Sequence, residues 1–408
     1  MRIVCISQVY WPDTVSVAQH LVDLLQALSG HGHEVTVITS RHNYEHPEIT
    51  YPMHEYHEGV NIKRLLNTGF GKKTKLGRLV DFSSFNVLTA LKLLLLNRQS
   101  CDILIGMTSP PLLSYIGIKI ARMKKIRFVY WTMDLQPELS IIAGYIKSGS
   151  KIARTMQKRG DFIFRHSDKI IALDRYMEKH IYNRLHEERK GVDVIPVWPV
   201  METVYEGKRE ENPFRLECGF GEKIVIMYSG NHSVMHPLTT LLEVAVLLKE
   251  DKRFLFVHVG GGVRLKEVRG YKERLKLDNL MILPYQPRER IHLSLGSADI
   301  QVVSLGDHCV GATHPNKIYG AMFIGKPILY IGPPKSHVTD ILNMCEGNIS
   351  VSHGDSDSLK KMLLSFAELQ ENQRQEIGNR NRAFAEQHFL PRVLLSKMVS
   401  SIEDTRIS

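Results

Sequence analysis

The chain has 408 residues, 43% apolar and 24% charged, with a formal net charge of +10. It is too long for one ordinary hydrophobic core and suits two domains of globular composition. Its five cysteines are scattered, with no CxxC pair, which argues against a disulfide framework or zinc site and for a reducing compartment.

The opening MRIVCISQVY reads as a strand, Arg2 to Ser7, and lacks the basic segment and apolar run of a signal peptide. Val17, Leu21, Leu24, Leu25 and Leu28 have helical spacing and predict a helix over 15–30 that ends at Ser29-Gly30. His33 to Ile38 follows as a strand. His31, His33, His42, His46, His54 and His57 crowd this region without the spacing of a metal site.

The charge then becomes one-sided. Residues 1–200 hold 27 basic against 18 acidic residues and the remainder 26 against 25, while 63–169 alone hold 20 against 6. The density peaks at Lys63, Arg64, Lys72, Lys73, Lys75 and Arg78. An apolar stretch follows, with Phe82, Phe85, Val87, Leu88, Leu91 and Leu93 to Leu96. Basic residues beside an amphipathic apolar helix read as a membrane-surface element, each contributing roughly 1 kcal/mol near an anionic leaflet. The same pattern fits a basic loop before an ordinary core helix. No nucleic-acid motif accompanies the patch, so no nucleic-acid partner is expected. No uninterrupted run of eighteen apolar residues occurs, so no transmembrane helix is expected.

Short apolar runs at Ile103 to Met107, Arg127 to Trp131 and Lys169 to Leu173 suit a buried parallel sheet. Ile224 to Tyr228, Phe254 to Val259, Met281 to Leu283, Ile300 to Val303 and Pro327 to Tyr330 repeat the logic, with helices between. The alternation predicts an α/β protein with two doubly wound parallel sheets. The break falls near IPVWPVMET (195–203). This gives a first domain of 1–197 and a second of 198–389. Helices over Ser358 to Leu369 and Glu371 to His388 close the second, and Pro391 to Glu403 is expected to pack back on the first, so that 390–408 return to it. Ligands of such sheets bind beyond the carboxyl ends of the strands, so two sheets face to face would make a cleft.

The run GATHPNKIYGAMFIGKPILYIG, Gly311 to Gly332, is the densest in information. Pro315 suits a helix start and Asn316 a cap or first-turn position. Gly325 is the expected C′ residue. Lys317 puts a cation in the first turn, against the helix dipole. Either it is a solvated lysine, or backbone N–H groups and the ammonium share a bound anion, for which a phosphate or diphosphate is the natural candidate. Gly260-Gly261-Gly262 follows a strand and lets backbone approach a ligand or simply turns into a helix. It is not a dinucleotide fingerprint, since no GxGxxG follows the first strand. Asp355-Ser356-Asp357 imitates a metal-binding DxD but sits in a polar turn before a helix. No metal is expected.

A series of segments in order carries a family resemblance: MRIVCISQVYWPD, GHGHEVTVITSR, TSPPLL, WTMDLQPE, HSDKIIALDRYM, VIPVWP, YSGNHSVMHPLTTLLEVA, FVHVGGG, LPYQPRERI and HPNKIYGAMFIGKP. The chain resembles the GT-B glycosyltransferases of glycosyltransferase family 4, retaining nucleotide-sugar transferases, and within them the bacterial O-antigen, capsule and colanic-acid branch. The resemblance implies two Rossmann-like domains, the first binding acceptor and the second the donor. It implies transfer of a sugar, expected to be a UDP-linked N-acetylated or deoxy sugar, to a polyprenyl-diphosphate-linked saccharide. The enzyme would work without cofactor or metal, in the cytoplasm, peripheral on the inner face of the cytoplasmic membrane.

Residue by residue, the resemblance places the donor diphosphate between Lys317, the N–H groups around Asn316 and Lys317, and the loop Gly230 to His236. Donor contacts are expected from Gly230, Asn231, His236, Gly261, Gln286, Gly311, Thr313, His314, Asn316 and Lys317, with the base read near Tyr285-Gln286. The two family glutamates fall at Ala312 and Gly320, and the usual diphosphate-binding Arg and Lys at Asn231 and His236, so all four are replaced. Asp134 is expected to orient the acceptor hydroxyl, with Glu138 as the alternative carboxylate; from its residue type alone, Asp134 could equally cap a helix. Asp13 and Ser16 stand where the family's first loop carries two glycines. Lys72, Lys73, Lys75 and Arg78 are the expected membrane or acceptor-lipid contacts. A GT-B nucleotide-sugar 2-epimerase and a non-catalytic homologue are the competing functions.

Overall fold

A computed structural model describes residues 1–405 apart from 72, 73, 111, 187–190 and 202, and the backbone but not the side chain of Lys75. The chain divides into two compact units, Met1–Pro196 with Arg392–Ser408, and Val197–Pro391.

The first unit is built on an eight-stranded sheet: β1 (Arg2–Ile6), β2 (Glu34–Ser40), β3 (His54–His57), β4 (Val60–Leu65), β5 (Ile103–Met107), β6 (Arg127–Trp131), β7 (Lys169–Ala172) and β8 (Val192–Val194). The spatial order is β3-β4-β2-β1-β5-β6-β7-β8. Helices cross between its parallel strands, which is why β1, β5 and β6 are almost continuously buried Ile, Val, Leu and aromatic residues. The expected all-parallel sheet is corrected at one edge. There β3 pairs antiparallel with β4, and its four residues alternate in exposure, His54 and Tyr56 facing out, as an edge hairpin requires. The helix Pro391–Asp404 returns to this unit: Ser401 donates to Asp193 Oδ2 at 2.6 Å, and Glu403 lies 2.7 Å from His33 Nε2.

The second unit carries a six-stranded parallel sheet: β9 (Ile224–Ser229), β10 (Phe254–Val259), β11 (Leu280–Leu283), β12 (Ile300–Ser304), β13 (Ile328–Ile331) and β14 (Ile349–Val351), in the order β11-β10-β9-β12-β13-β14. At the amino end of β12, Asp299 is nine-tenths buried. It accepts from Arg209 and Arg215 and from the Val225 N–H at 2.8 Å. Burial alone would raise the Asp299 pKa, but the two guanidiniums outweigh it and hold it low. The helix Lys317–Phe323 ends as expected, with Gly325 at φ +72° donating to the Met322 carbonyl at 2.9 Å. Asp355 caps the helix Ser356–Glu368 by accepting from the Ser358 N–H, the structural role expected for that motif.

Candidate active site

In the second unit the strand order reverses between β9 and β12, so the loops leaving their carboxyl ends open a crevice within this unit. The loop after β9 starts at Gly230. The chain after β12 passes through a 3-10 turn, Asp307–Cys309, and reaches the helix opened by Lys317. The Lys317 side chain lies across Gly230: a Cβ on that glycine would stand 2.8 Å from Lys317 Cε. Its ammonium lies 5.2 Å from the centre of the Tyr228 ring. Loss of water lowers the Lys317 pKa to about 8, and no charged neighbour among the described residues opposes that shift. An unneutralised, partly dehydrated cation at a helix start is an anion-binding arrangement.

The surrounding backbone is held by a histidine. His232 is buried, with Nδ1 lying 3.1 Å from the Gly230 carbonyl and 3.2 Å from that of Gly261, while its N–H donates to Gly261 at 2.7 Å. Its Nε2 lies 3.2 Å from His258 Nδ1. Burial lowers the pKa of both imidazoles, His258 to about 3, so the pair is neutral beneath the lysine. His236, 2.7 Å from the Ser304 carbonyl, is lowered to about 3 by burial and then by the Lys317 charge. It therefore offers a neutral ring at the position where the family resemblance would put a cation. Gly260 has φ +120°, and a Cβ there would lie 2.3 Å from the Gly230 carbonyl oxygen. A side chain at 260 would push the two loops apart.

The other donor-side residues fall around this centre with different degrees of engagement. Asn231 is exposed, and its carbonyl accepts from the Tyr228 hydroxyl at 2.8 Å. Gln286 donates to the Pro284 carbonyl at 3.0 Å beside Tyr285, whose ring faces Gly261. Gly311 adopts φ +74°, and the Thr313 N–H donates to the Cys309 carbonyl. His314 turns inward: Nε2 lies 2.6 Å from the Tyr319 hydroxyl and the ring stacks on His337 at 3.8 Å. Asn316 holds the expected N-cap position of the helix. Its side chain makes no cap, and its N–H is taken by the His314 carbonyl at 3.0 Å. The tight turn at Pro315 closes on itself, so the Lys317 side chain, and not the Asn316 N–H, is the group there with no hydrogen-bond partner among the described residues. Ala312 is buried, whereas a Cβ on Gly320 would meet only Met201 Cε, at 3.4 Å.

In the first unit, Asp134 lies in the loop after β6. The helix that follows, Glu138–Ile142, is capped at Pro137, so Asp134 does not serve as its N-cap. Glu138 is committed elsewhere: its carboxylate lies 3.0 Å from His180 Nε2 and 3.3 Å from the Arg184 guanidinium, which also binds Asp161. Burial would raise its pKa, but His180 and Arg184 outweigh this and lower it. Asp13 is buried and accepts from Asn43 Nδ2 at 2.9 Å and the Tyr44 N–H at 3.1 Å, which pins the first loop to the chain after β2. Ser16 opens the helix Ser16–Gly30, its hydroxyl 3.3 Å from His20 Nδ1.

Within the basic region the parts separate. Arg64 is buried, paired with Glu55 at 2.7 Å and donating to the Pro52 and Trp11 carbonyls, so it belongs to the fold and not to a surface patch. Arg78 rests over Phe82 and Tyr145. Lys75 is the first residue of the helix Lys75–Leu94, while Lys72 and Lys73 lie outside the described residues. That helix buries Phe85 and Leu93 but leaves Leu76, Leu79, Val87 and Leu91 each more than half exposed. No helix among the described residues is long and apolar enough to cross a membrane.

Tyr228 and His232 are the site residues that sequence reasoning did not single out, while Gly260 was read there only as part of the glycine run. A histidine three residues past a buried strand looks like any loop residue, and what marks Gly260 within the glycine run is its approach to the Gly230 carbonyl, which no sequence pattern shows.

Residues 17–197 match the family model described as Glycosyltransferase Family 4. The chain is similar to the probable glycosyltransferase WbjE of Pseudomonas aeruginosa, 22% identical with 74% of each chain covered. It is also similar to the putative colanic acid biosynthesis glycosyl transferase WcaI of Escherichia coli K12, 23% identical with 80% of this chain and 82% of the relative covered. Among solved structures it shares its fold with Anabaena HepE in complex with UDP, at TM-score 0.69 and 13% identity over 99% of this chain and 100% of the other.

Proposed function

We propose that this chain, a glycosyltransferase of family 4 with the GT-B fold, transfers a sugar with retention from a UDP-linked donor to a polyprenyl-diphosphate-linked saccharide in bacterial surface polysaccharide synthesis. The observation that carries the donor half is Lys317 lying over Gly230 and Tyr228 at the switch point of the second unit. The HepE neighbour, solved with UDP, supports a uridine diphosphate there, and the name of WcaI supports the polysaccharide role. Departure of the diphosphate develops negative charge where the lysine sits, so the group acts by electrostatic stabilisation, and the leaving phosphate takes the acceptor proton. Asp134 orients the acceptor hydroxyl.

Thermal stabilisation by UDP, GDP, ADP and UDP-sugars tests the donor half. A ligand at about 100 times its Kd stabilises by roughly 2.7 kcal/mol. A UDP-selective shift that Lys317→Ala removes is expected, and no shift with any nucleotide refutes the reading. The exposed leucines of the helix Lys75–Leu94 support peripheral attachment to an anionic membrane. Flotation with anionic vesicles at low and high salt checks it, and absence of binding at both rejects it.

A further inference from the structure

The amino end of the first sheet carries an open recess of about 500 Å³. Its lining is set by the first residues of three adjacent strands, Arg2 of β1, Ile103 of β5 and Arg127 of β6, with Arg98, Asp102 and Lys125 from the loops beside them. Asp134 follows the other end of β6. That five-residue strand alone separates the two by roughly 13 Å, at about 3.3 Å per step, so the recess is no part of the loops assigned to the acceptor. Four cationic side chains meet one carboxylate here. Asp102 is taken by Arg2: Nη2 donates to one oxygen at 2.7 Å, and Nε and the backbone N–H donate to the other at 3.3 and 2.7 Å. Glu34 of the neighbouring β2 acts on the same arginine. The carboxyl ends of the helices Lys75–Leu94 and Leu113–Lys124 call for cations of their own. Lys124 Nζ and Arg98 Nε supply them, donating to the Leu94 and Lys125 carbonyls, both at 2.8 Å. Arg127 has no such task. It pairs with no carboxylate among the described residues, and its Nη1 is buried without a hydrogen-bond partner. An unmade bond on a buried, charged donor is costly. Lys125 is held at φ +57°, so an ammonium stands on this lining at a backbone position that favours glycine.

We infer that this recess binds a phosphate-bearing anion through Arg127, Arg98 and Lys125, at a site separate from the donor crevice. Guanidinium forks match phosphate oxygens two at a time, and an ammonium adds a point charge. A phosphate held here gives Arg127 the acceptor it lacks. The lining carries no aromatic ring among the described residues on which a base could stack, so the phosphate is what is read, not a nucleoside. Two sources offer that chemistry, a soluble phosphate and a phospholipid headgroup. Leu95 and Met123, both more than half exposed, are next in sequence to Leu94 and Lys124, which meet beside the recess; such apolar neighbours suit the headgroup. The inference is independent of the donor and acceptor proposed above.

The test is calorimetric titration of the full chain with inorganic diphosphate, in the wild type and in Lys317→Ala, which disables the donor crevice. One site should remain in Lys317→Ala. Added to that background, Arg127→Met and Lys125→Asn, the latter suited to a left-handed backbone, should each weaken the remaining site by about tenfold or more, the loss of one charged contact. Without ligand, each variant should unfold at or above the midpoint of its parent, since one removes the unmade bond and the other relieves the backbone. Diphosphate should raise the midpoint of the parent more than that of either variant. No binding in Lys317→Ala overturns the inference, as does equal binding in parent and variants. A lower unfolding midpoint in Arg127→Met with unchanged diphosphate binding makes that arginine part of the fold alone and also overturns it. In the otherwise wild-type chain both variants should keep the UDP affinity, and a parallel loss of UDP binding refutes the separation of the two sites. Flotation with phosphatidylcholine vesicles, with and without phosphatidic acid, distinguishes the sources. Binding to phosphatidic acid that Arg127→Met and Lys125→Asn abolish supports the headgroup; diphosphate binding that the variants weaken, with flotation unchanged, supports a soluble phosphate.

Discussion

The Lys317 ammonium gives nucleotide binding a pH dependence of predictable sign and size. Dehydration holds its pKa at about 8 in the free protein, below the ordinary lysine value of about 10.4. A bound diphosphate favours the charged form and raises that pKa, so binding takes up a proton wherever the free lysine is neutral. Between pH 7 and 9 the protonated fraction of the free protein falls from about nine-tenths to about one-tenth. UDP affinity should therefore fall about tenfold, or about 1.4 kcal/mol. The terminal phosphate titrates near pH 6 and is constant over this window. Isothermal calorimetry at pH 7, 8 and 9, in two buffers of different ionisation heat, reads both quantities; at pH 8 about half a proton should be taken up per UDP, by the same linkage. Lys317→Arg keeps its charge throughout and flattens the profile. The unliganded protein responds with the opposite sign: a depressed lysine opposes folding in full below about pH 8, and the penalty fades between there and the unfolded lysine pKa of about 10.4. Lys317→Met should therefore stabilise the free protein at pH 7, with the gain shrinking toward pH 10. A wild-type affinity flat from pH 7 to 9, with no proton uptake, refutes the placement of the phosphate on Lys317.

Asp134→Asn should abolish sugar transfer while leaving the Kd for UDP unchanged; transfer at the wild-type rate removes this residue from the acceptor site. Gly260→Ala forces a Cβ against the Gly230 carbonyl at φ +120°, and a cost of about 1–3 kcal/mol should appear as a lower unfolding midpoint together with weaker UDP binding. Asp299→Asn leaves Arg209 and Arg215 without their shared carboxylate. Chemical denaturation should show a loss of about 3–5 kcal/mol, with no change in UDP affinity beyond that explained by unfolding.

Local sequence carried the fold where the signal was itself local. The runs at Ile103 to Met107 and Phe254 to Val259 are buried on both faces, so their composition alone marks central parallel strands. β3 and β4 gave no such signal. HEYH alternates without an apolar face, and the buried Arg64 in β4 reads as surface charge until Glu55 and two distant carbonyls are seen around it. Lys317 was legible because helix-start chemistry is local: a proline, a lysine and a terminating glycine within eleven residues. The lysine's neighbours were not, because Gly230 and Tyr228 meet it only through the order of β9 and β12 in the sheet. The two carboxylates Asp134 and Glu138 show the limit most clearly. Four residues apart, near one strand end, they were interchangeable as candidates. Residues more than forty positions later separate them, since His180 and Arg184 neutralise Glu138 and hold its pKa low. A carboxylate so paired has little capacity left to orient an acceptor hydroxyl. Glu138→Gln should consequently act on stability. Its contribution is present above the unfolded glutamate pKa and is lost as the pH falls through the lower folded value. At neutral pH the variant should lower the unfolding midpoint and leave transfer by the folded enzyme unchanged. A selective loss of transfer at unchanged stability would reverse the assignment of the two carboxylates.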